Sequence, residues 1–398
     1  MTDIRGQVEP GFEAVADAFR ANFTEHGEVG AGFSLYVDGE QVVALTGGVA
    51  DSDGRPYDED TLQMVFSTTK GATAVCAHLL AERGELDLDA PVAEYWPEFA
   101  AAGKGEVPVS WLLCHKAGLI DTDRSMTLDE ALDWDTVTAA LAESTPVWEP
   151  GTQHGYHAVT YGWLVGEVVR RVSGKSLGTF FADEVAGPLG LDFWIGLPDA
   201  QQGRVAPLIP MGGGPEPMML SEEGDGSDDA PQGLIEMLNL FMGPDNLIAR
   251  ALTAPGGALA DEQAWNEPRL RAAEIPAANG VTNAPSLARM YSSLVVETDG
   301  VRTLQPETVE RAIVPQVSGP DSVLIFPIPF ALGFMGHSDM SPFVGGRSFG
   351  HYGAGGSVGF ADPDRRIAGG YVMNKMHFGL AGDPRTAALL AAVDRAVA

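Results

Sequence analysis

The sequence predicts an α/β fold of the α+β kind, with a sheet built from both chain ends and a mostly helical region between them. Three observations lead there. Strand signals gather before residue 66 and after residue 280, helical periodicity dominates in between, and a helical pattern closes the chain.

Residues 10–26 carry Phe12, Val15, Ala16, Phe19 and Phe23 at helical spacing, an amphipathic opening helix. Residues 32–37 and 41–45 flank Asp38-Gly39, a dipeptide suited to a tight turn, and read as a β-hairpin. The pattern from Thr69 to Glu85 is helical, with Arg83-Gly84 as its stop. Residues 87–131 are rich in turns, and Pro91, Pro97 and Pro108 break short helices there. Residues 159–171 form another helix, closed by Ser173-Gly174.

Between 197 and 246 the composition shifts to Gly212-Gly213-Gly214-Pro215, Met218-Met219 and an acidic run over 222–229. So long a stretch reads either as an insertion or lid near a binding site or as a disordered surface loop. Residues 283–294 return to helix. Strand signals follow at 322–326, 357–360 and 367–373, with the Asp362-Pro363-Asp364 turn between the last two, and residues 384–397 make the closing helix. No internal repeat is present. The expected division is a discontinuous sheet domain, 1–66 with 280–398, and a mostly helical domain, 67–279.

With 398 residues and 45% apolar content, the chain can bury a large core. The net charge of -31, from 55 acidic against 24 basic residues, is spread along the chain. Such a field repels phosphate backbones and anionic lipid, so neither nucleic acid nor a membrane surface is an expected partner. The first residues lack a basic stretch followed by an apolar core, and no apolar run is long enough to span a bilayer. Cys76 and Cys114 lie in apolar stretches without metal spacing, as buried free thiols of a reducing compartment would. The expected location is therefore cytoplasmic. Oligomeric state is not legible.

The chemistry centres on Ser67-Thr68-Thr69-Lys70. If Ser67 sits in the first turn of the helix, Lys70 lies on the same face within reach of the hydroxyl. A serine hydroxyl is a poor nucleophile at neutral pH, and a desolvated lysine can be pushed toward the neutral form that serves as its base. Free N–H groups at the helix end suit a developing oxyanion. Two later segments complete the set: Gly155-Tyr156-His157-Ala158, and the glycine-rich strand edge Gly350-His351-Tyr352-Gly353-Ala354-Gly355-Gly356. A tyrosine poised between lysine and histidine is expected to lose its proton more readily than a free phenol and to relay protons. The glycines beside His351 let backbone approach a substrate closely.

Together these residues resemble the serine β-lactamase and penicillin-binding-protein superfamily, and within it the family VIII carboxylesterases. The likeness extends to Leu112-Leu113-Cys114-His115-Lys116-Ala117-Gly118-Leu119, Trp148-Glu149-Pro150-Gly151 and Pro276-Ala277-Ala278-Asn279-Gly280. It implies a β-lactamase-like fold with an antiparallel sheet flanked by helices. It also implies a serine carboxylesterase working through an acyl-enzyme on small-molecule esters, without a cofactor. By that resemblance Ser67 is the nucleophile, Lys70 its base and Tyr156 the acid/base, while His351 contacts the leaving side. The N–H groups of Ser67 and Ala354, with Gly353 beside them, form the oxyanion hole. Ala158 stands where the superfamily usually has Asn, and His351 where β-lactamases have Lys, which favours esters over β-lactams. β-Lactamase, D-amino-acid peptidase and acyltransferase activities use the same acyl-enzyme and stay open, as does a non-catalytic binding role.

Gly355-Gly356-Ser357-Val358-Gly359 matches the Gly-x-Ser-x-Gly pattern of α/β-hydrolases. Strand-like sequence and a turn follow it, with few residues left for a triad, so packing beside the cleft is the better reading. His154-x-x-His157 lacks a third ligand at metal spacing. His115 is expected to hydrogen-bond within its own loop, and Trp148 and Trp163 to belong to the core.

Overall fold

The computed structural model describes residues 2–210, 243 and 246–398. The Gly/Pro stretch, the methionine pair and the acidic run of 197–246 lie outside the described residues, and with them the lid reading. Three strands come from the N-terminal end: β1 (Ile4–Val8), β2 (Gly30–Val37) and β3 (Glu40–Gly48). Three short ones follow, β4 (Gln63–Met64), β5 (Phe193–Trp194) and β6 (Val281–Thr282). The C-terminal end adds β7 (Met335–Gly336), β8 (Phe349–Tyr352), β9 (Val358–Asp362) and β10 (Ile367–Met373).

Seven strands make the main sheet, in the order β1-β3-β2-β10-β9-β8-β7, with every neighbouring pair antiparallel. The central pairing joins the two ends of the chain, Ile367 opposite Val37 through Met373 opposite Ala31. β10 is buried throughout because helices cover both faces. On one face Gly370 lets helix Ala284–Val295 come close: a methyl there would lie 2.9 Å from the Ala284 carbonyl oxygen and 3.0 Å from the Ala288 nitrogen. On the other, the Tyr371 hydroxyl lies 3.5 Å from Asn22 Nδ2 of helix α1 (Glu13–Glu25), which packs on helix Pro384–Ala396.

Two local expectations need correction. The sequence offered no strand at residues 4–8, yet β1 pairs with β3 there. It is an exposed edge strand whose side chains do not alternate apolar with polar, so it lacks the usual signature. Conversely, 322–326 is not a strand. Asp321 Oδ1 accepts the N–H groups of Val323 (2.8 Å) and Leu324 (2.7 Å), diverting donors a ladder would need. Ile325 then takes φ +72 and, with Phe326, faces solvent.

Helix α2 (Thr69–Glu82) is buried on every side from Thr69 to Leu80, which explains its all-round apolar sequence, and it packs on helix Thr160–Ser173. Gly174 closes that second helix in the left-handed conformation, and Asn283 caps Ala284–Val295 by accepting the Ser286 N–H. Cys76 and Cys114 are buried and free. Among the described residues no helix is long and apolar enough to cross a membrane.

The three-stranded sheet β4-β6-β5 matters most for the site. β4 runs directly into the Ser67 segment, and Gly280, just before β6, holds it from the side by accepting the Val65 N–H at 3.0 Å.

Candidate active site

Ser67 does not open α2. It sits in a single tight turn, Phe66–Thr68, ahead of the helix, and Phe66 before it has φ +43. A left-handed conformation at a bulky residue costs on the order of 1–3 kcal/mol and persists only where its surroundings enforce it. Here Thr69 Oγ1 donates to the Phe66 carbonyl at 2.5 Å, and the Phe66 ring packs edge-on against Trp265 at 5.1 Å. The bend turns the Ser67 hydroxyl away from the main chain toward Lys70 and Tyr156.

Lys70 is fully buried, and its Nζ has three neighbours: Ser67 Oγ at 3.0 Å, the Ala158 carbonyl at 2.6 Å and the Ala277 carbonyl at 3.0 Å. Burial pushes its pKa well below the ordinary 10.5. A neutral amine has two N–H bonds and one lone pair, so the two carbonyls can take both hydrogens and leave the lone pair facing Ser67.

The Tyr156 phenol lies beside the Ser67 hydroxyl, and Lys70 Nζ lies 4.8 Å from its ring centre. Burial pushes the phenol pKa above its ordinary value, the neighbouring Ser67 hydroxyl acting against it. The expectation of an easily ionised tyrosine is not met, because burial outweighs the influence of Ser67 and the neutral histidine supplies no positive charge for a phenolate. Its ring stacks on Phe330 at 5.6 Å and meets His115 edge-on at 5.0 Å.

His351, on β8, donates from Nδ1 to the Tyr352 carbonyl at 2.6 Å, while Nε2 is buried without a partner among the described residues. Burial, with Lys70 adding to it, pushes the imidazole down to about 3, so it is neutral. Its ring lies 6.1 Å from that of Tyr156.

The turn after β8 carries Gly353 and Ala354. The Gly353 N–H goes to the Ser357 carbonyl (2.8 Å), Gly355 to Gly379 (3.4 Å) and Gly356 to Gly353 (3.1 Å). Among the described residues neither the Ala354 N–H nor the Ser67 N–H meets an acceptor, the condition a pair of oxyanion donors must satisfy.

Two contributors carry no signal that sequence reasoning could use. The Ala277 and Ala158 carbonyls are main-chain groups. Ser357 is completely buried, donating to the Val65 carbonyl at 2.8 Å and lying 3.0 Å from Thr68 Oγ1, so it fastens the Gly353 turn to the Ser67 segment. His115 bonds outside its loop: its Nδ1 accepts the His157 N–H at 3.2 Å. His157 engages both ring nitrogens, with the Leu119 N–H at 3.0 Å and the Gly155 carbonyl at 2.8 Å. Trp163 is core, and Trp148 packs beside Gly155 and His157. Among the described residues no three His, Cys, Asp or Glu side chains gather as a metal would require.

The beta-lactamase family matches this chain over residues 15–393. The chain belongs to that family. Esterase/beta-lactamase LipL of Mycobacterium tuberculosis is 36% identical over 382 residues, which cover 93% of this chain and 83% of LipL. The solved structure of a family VIII carboxylesterase superposes with a TM-score of 0.85 at 38% identity, covering 99% of this chain and 100% of that one. A penicillin-binding protein homologue from Caulobacter crescentus gives 0.84 at 38% identity, with 99% and 100% covered. This beta-lactamase-family chain is thus a serine hydrolase of the β-lactamase-like fold, similar to the esterase branch.

Proposed function

We propose that the protein hydrolyses small carboxylic esters through an acyl-enzyme on Ser67. The observation that carries this reading is the setting of Lys70: dry, with two carbonyls for its two N–H bonds and its remaining side on Ser67. The lysine takes the serine proton as Ser67 Oγ bonds to the ester carbonyl carbon. The N–H groups of Ser67 and Ala354 receive the developing oxyanion. Tyr156, a neutral phenol, gives its proton to the departing alcohol oxygen and regains one from the Lys70 ammonium. Water then attacks the acyl carbon by the same path in reverse, releasing the acid and the serine.

Ester rather than β-lactam substrate is favoured by two features. The residue at 158 offers only its carbonyl, already engaged by Lys70, and a neutral His351 provides no cation for a substrate carboxylate. The names of LipL and of the family VIII carboxylesterase fit the same reading, and that of LipL keeps β-lactam cleavage as a second activity to assay.

The test is turnover of p-nitrophenyl esters of graded chain length, with nitrocefin alongside, and mass spectrometry of the peptide labelled by a fluorophosphonate. Ester turnover with label on Ser67 supports the reading. A folded enzyme with no ester turnover, or label on Ser357, overturns it.

A further inference from the structure

Tyr156 is held by a group outside the Ser-x-x-Lys set. Asp321, in the loop before β7, is buried, and its Oδ1 accepts three N–H bonds: from Val323 and Leu324 in its own loop, and from Tyr156 at 3.1 Å. The same loop reaches the tyrosine segment again through Ser322 N–H to the His154 carbonyl at 2.9 Å, and Val323 packs where a side chain on Gly155 would stand. Among the described residues Asp321 Oδ2 is buried with no partner, as is Nε2 of the neighbouring His154. A buried carboxylate placed at this cost needs a reason, and among the described residues its one long-range hydrogen bond is to the main chain of Tyr156.

We infer that Asp321 is a positioning residue for Tyr156: it clamps the main chain at 156 to the 321–324 turn and so keeps the phenol on Ser67. The inference rests on the proposed role of Tyr156. Apart from Ser67 and Lys70, the groups against the ring among the described residues are Phe330, His115 and His351, which confine its faces and edge, but ring packing leaves rotation and sliding along the stacked face cheap. The bond from Asp321 to the Tyr156 N–H fixes the Cα from which the side chain springs. Misplacing a proton-transfer group by about 1 Å costs on the order of 10²-fold.

Two variants separate this role from simple closure of the loop. In Asp321→Ser the hydroxyl still caps the local turn but is too short to reach Tyr156. In Asp321→Asn an amide oxygen of the same reach stands in the place of Oδ1 and can still accept from the Tyr156 N–H. The expected result is a loss of about 10² in kcat for D321S with KM within about twofold, and recovery of most of that loss in D321N. Combined with Tyr156→Phe, D321S should cost less than about threefold further, because both changes disable one group. Wild-type kcat in D321S, an equal fall in D321N, or the same factor lost with and without the Tyr156 hydroxyl would each overturn the inference. Wild-type enzyme without ester turnover would instead sink the functional reading beneath it.

Discussion

Replacing Gly353 with alanine tests whether the turn after β8 must touch the Ser67 segment. Gly353 does not need its missing side chain for backbone freedom; it needs it for space. A methyl there would overlap the Ser357 hydroxyl and the Val65 carbonyl oxygen and lie 2.9 Å from Thr68 Oγ1. Two of those atoms make the 2.8 Å bond that joins the turn to the segment before Ser67. Relief requires the turn to move off by about 1 Å, which breaks that bond and carries the Ala354 N–H away from an oxyanion on the substrate. Losing one such donor costs about 10²–10³ in kcat, or roughly 2.7–4 kcal/mol of barrier. The buried Val65 carbonyl, stripped of the Ser357 hydroxyl, adds about 1–3 kcal/mol of lost stability. The assay is steady-state and burst kinetics on a p-nitrophenyl ester, with a urea melt to confirm that the variant is folded at the assay temperature. A folded G353A with wild-type kcat would refute the placement of Ala354 as an oxyanion donor.

Other outcomes follow from the same geometry. Ser357→Ala removes a hydroxyl from a fully buried bond to Val65, so stability should fall by about 1–3 kcal/mol while a fluorophosphonate still labels Ser67; a folded S357A that takes no label would contradict a purely fastening role. Since burial holds Lys70 well below 10.5, kcat/KM should rise with pH as the amine loses its proton and level off far short of that value. A plateau reached only near pH 10.5 would mean the lysine is not the dry base described. Buried histidines set an acid limit on stability. His157 and His78 are pushed down to about 4 from 6.5, so below pH 6.5 the unfolded chain takes up protons that the fold refuses, and stability drops as pH falls toward 4. Each such proton contributes a slope of about 1.4 kcal/mol per pH unit, and His157→Gln should flatten the profile by one such step in urea melts at pH 7, 5.5 and 4.5. An unchanged slope would show that His157 titrates alike in both states.

Much of this protein is legible in its residues taken locally. The residue pattern locates α2 and the helices Thr160–Ser173, Ala284–Val295 and Pro384–Ala396 to within a few positions, because the last three bury an apolar face that repeats along the chain and α2 is apolar all round. The hairpin of β2 and β3 and the strands β9 and β10 are readable for the same reason. Ser67, Lys70, Tyr156 and His351 stand out as types able to do acyl-transfer chemistry, and the chain brings them together from the Phe66–Thr68 turn, α2, the segment before helix Thr160–Ser173, and β8.

What depends on tertiary structure is the state of those groups. Whether Lys70 is charged, whether Tyr156 ionises and whether His351 carries a proton all turn on how much water reaches them and which atoms face them. Those atoms include the carbonyls of Ala158 and Ala277, 88 and 207 residues from Lys70, which look the same in sequence as any other carbonyl. The strained Phe66, the fastening by Ser357 and the clamp by Asp321 belong to the same class. Type and spacing are properties of the chain, whereas dielectric, hydrogen-bond partners and strain arise only when distant segments share one small volume.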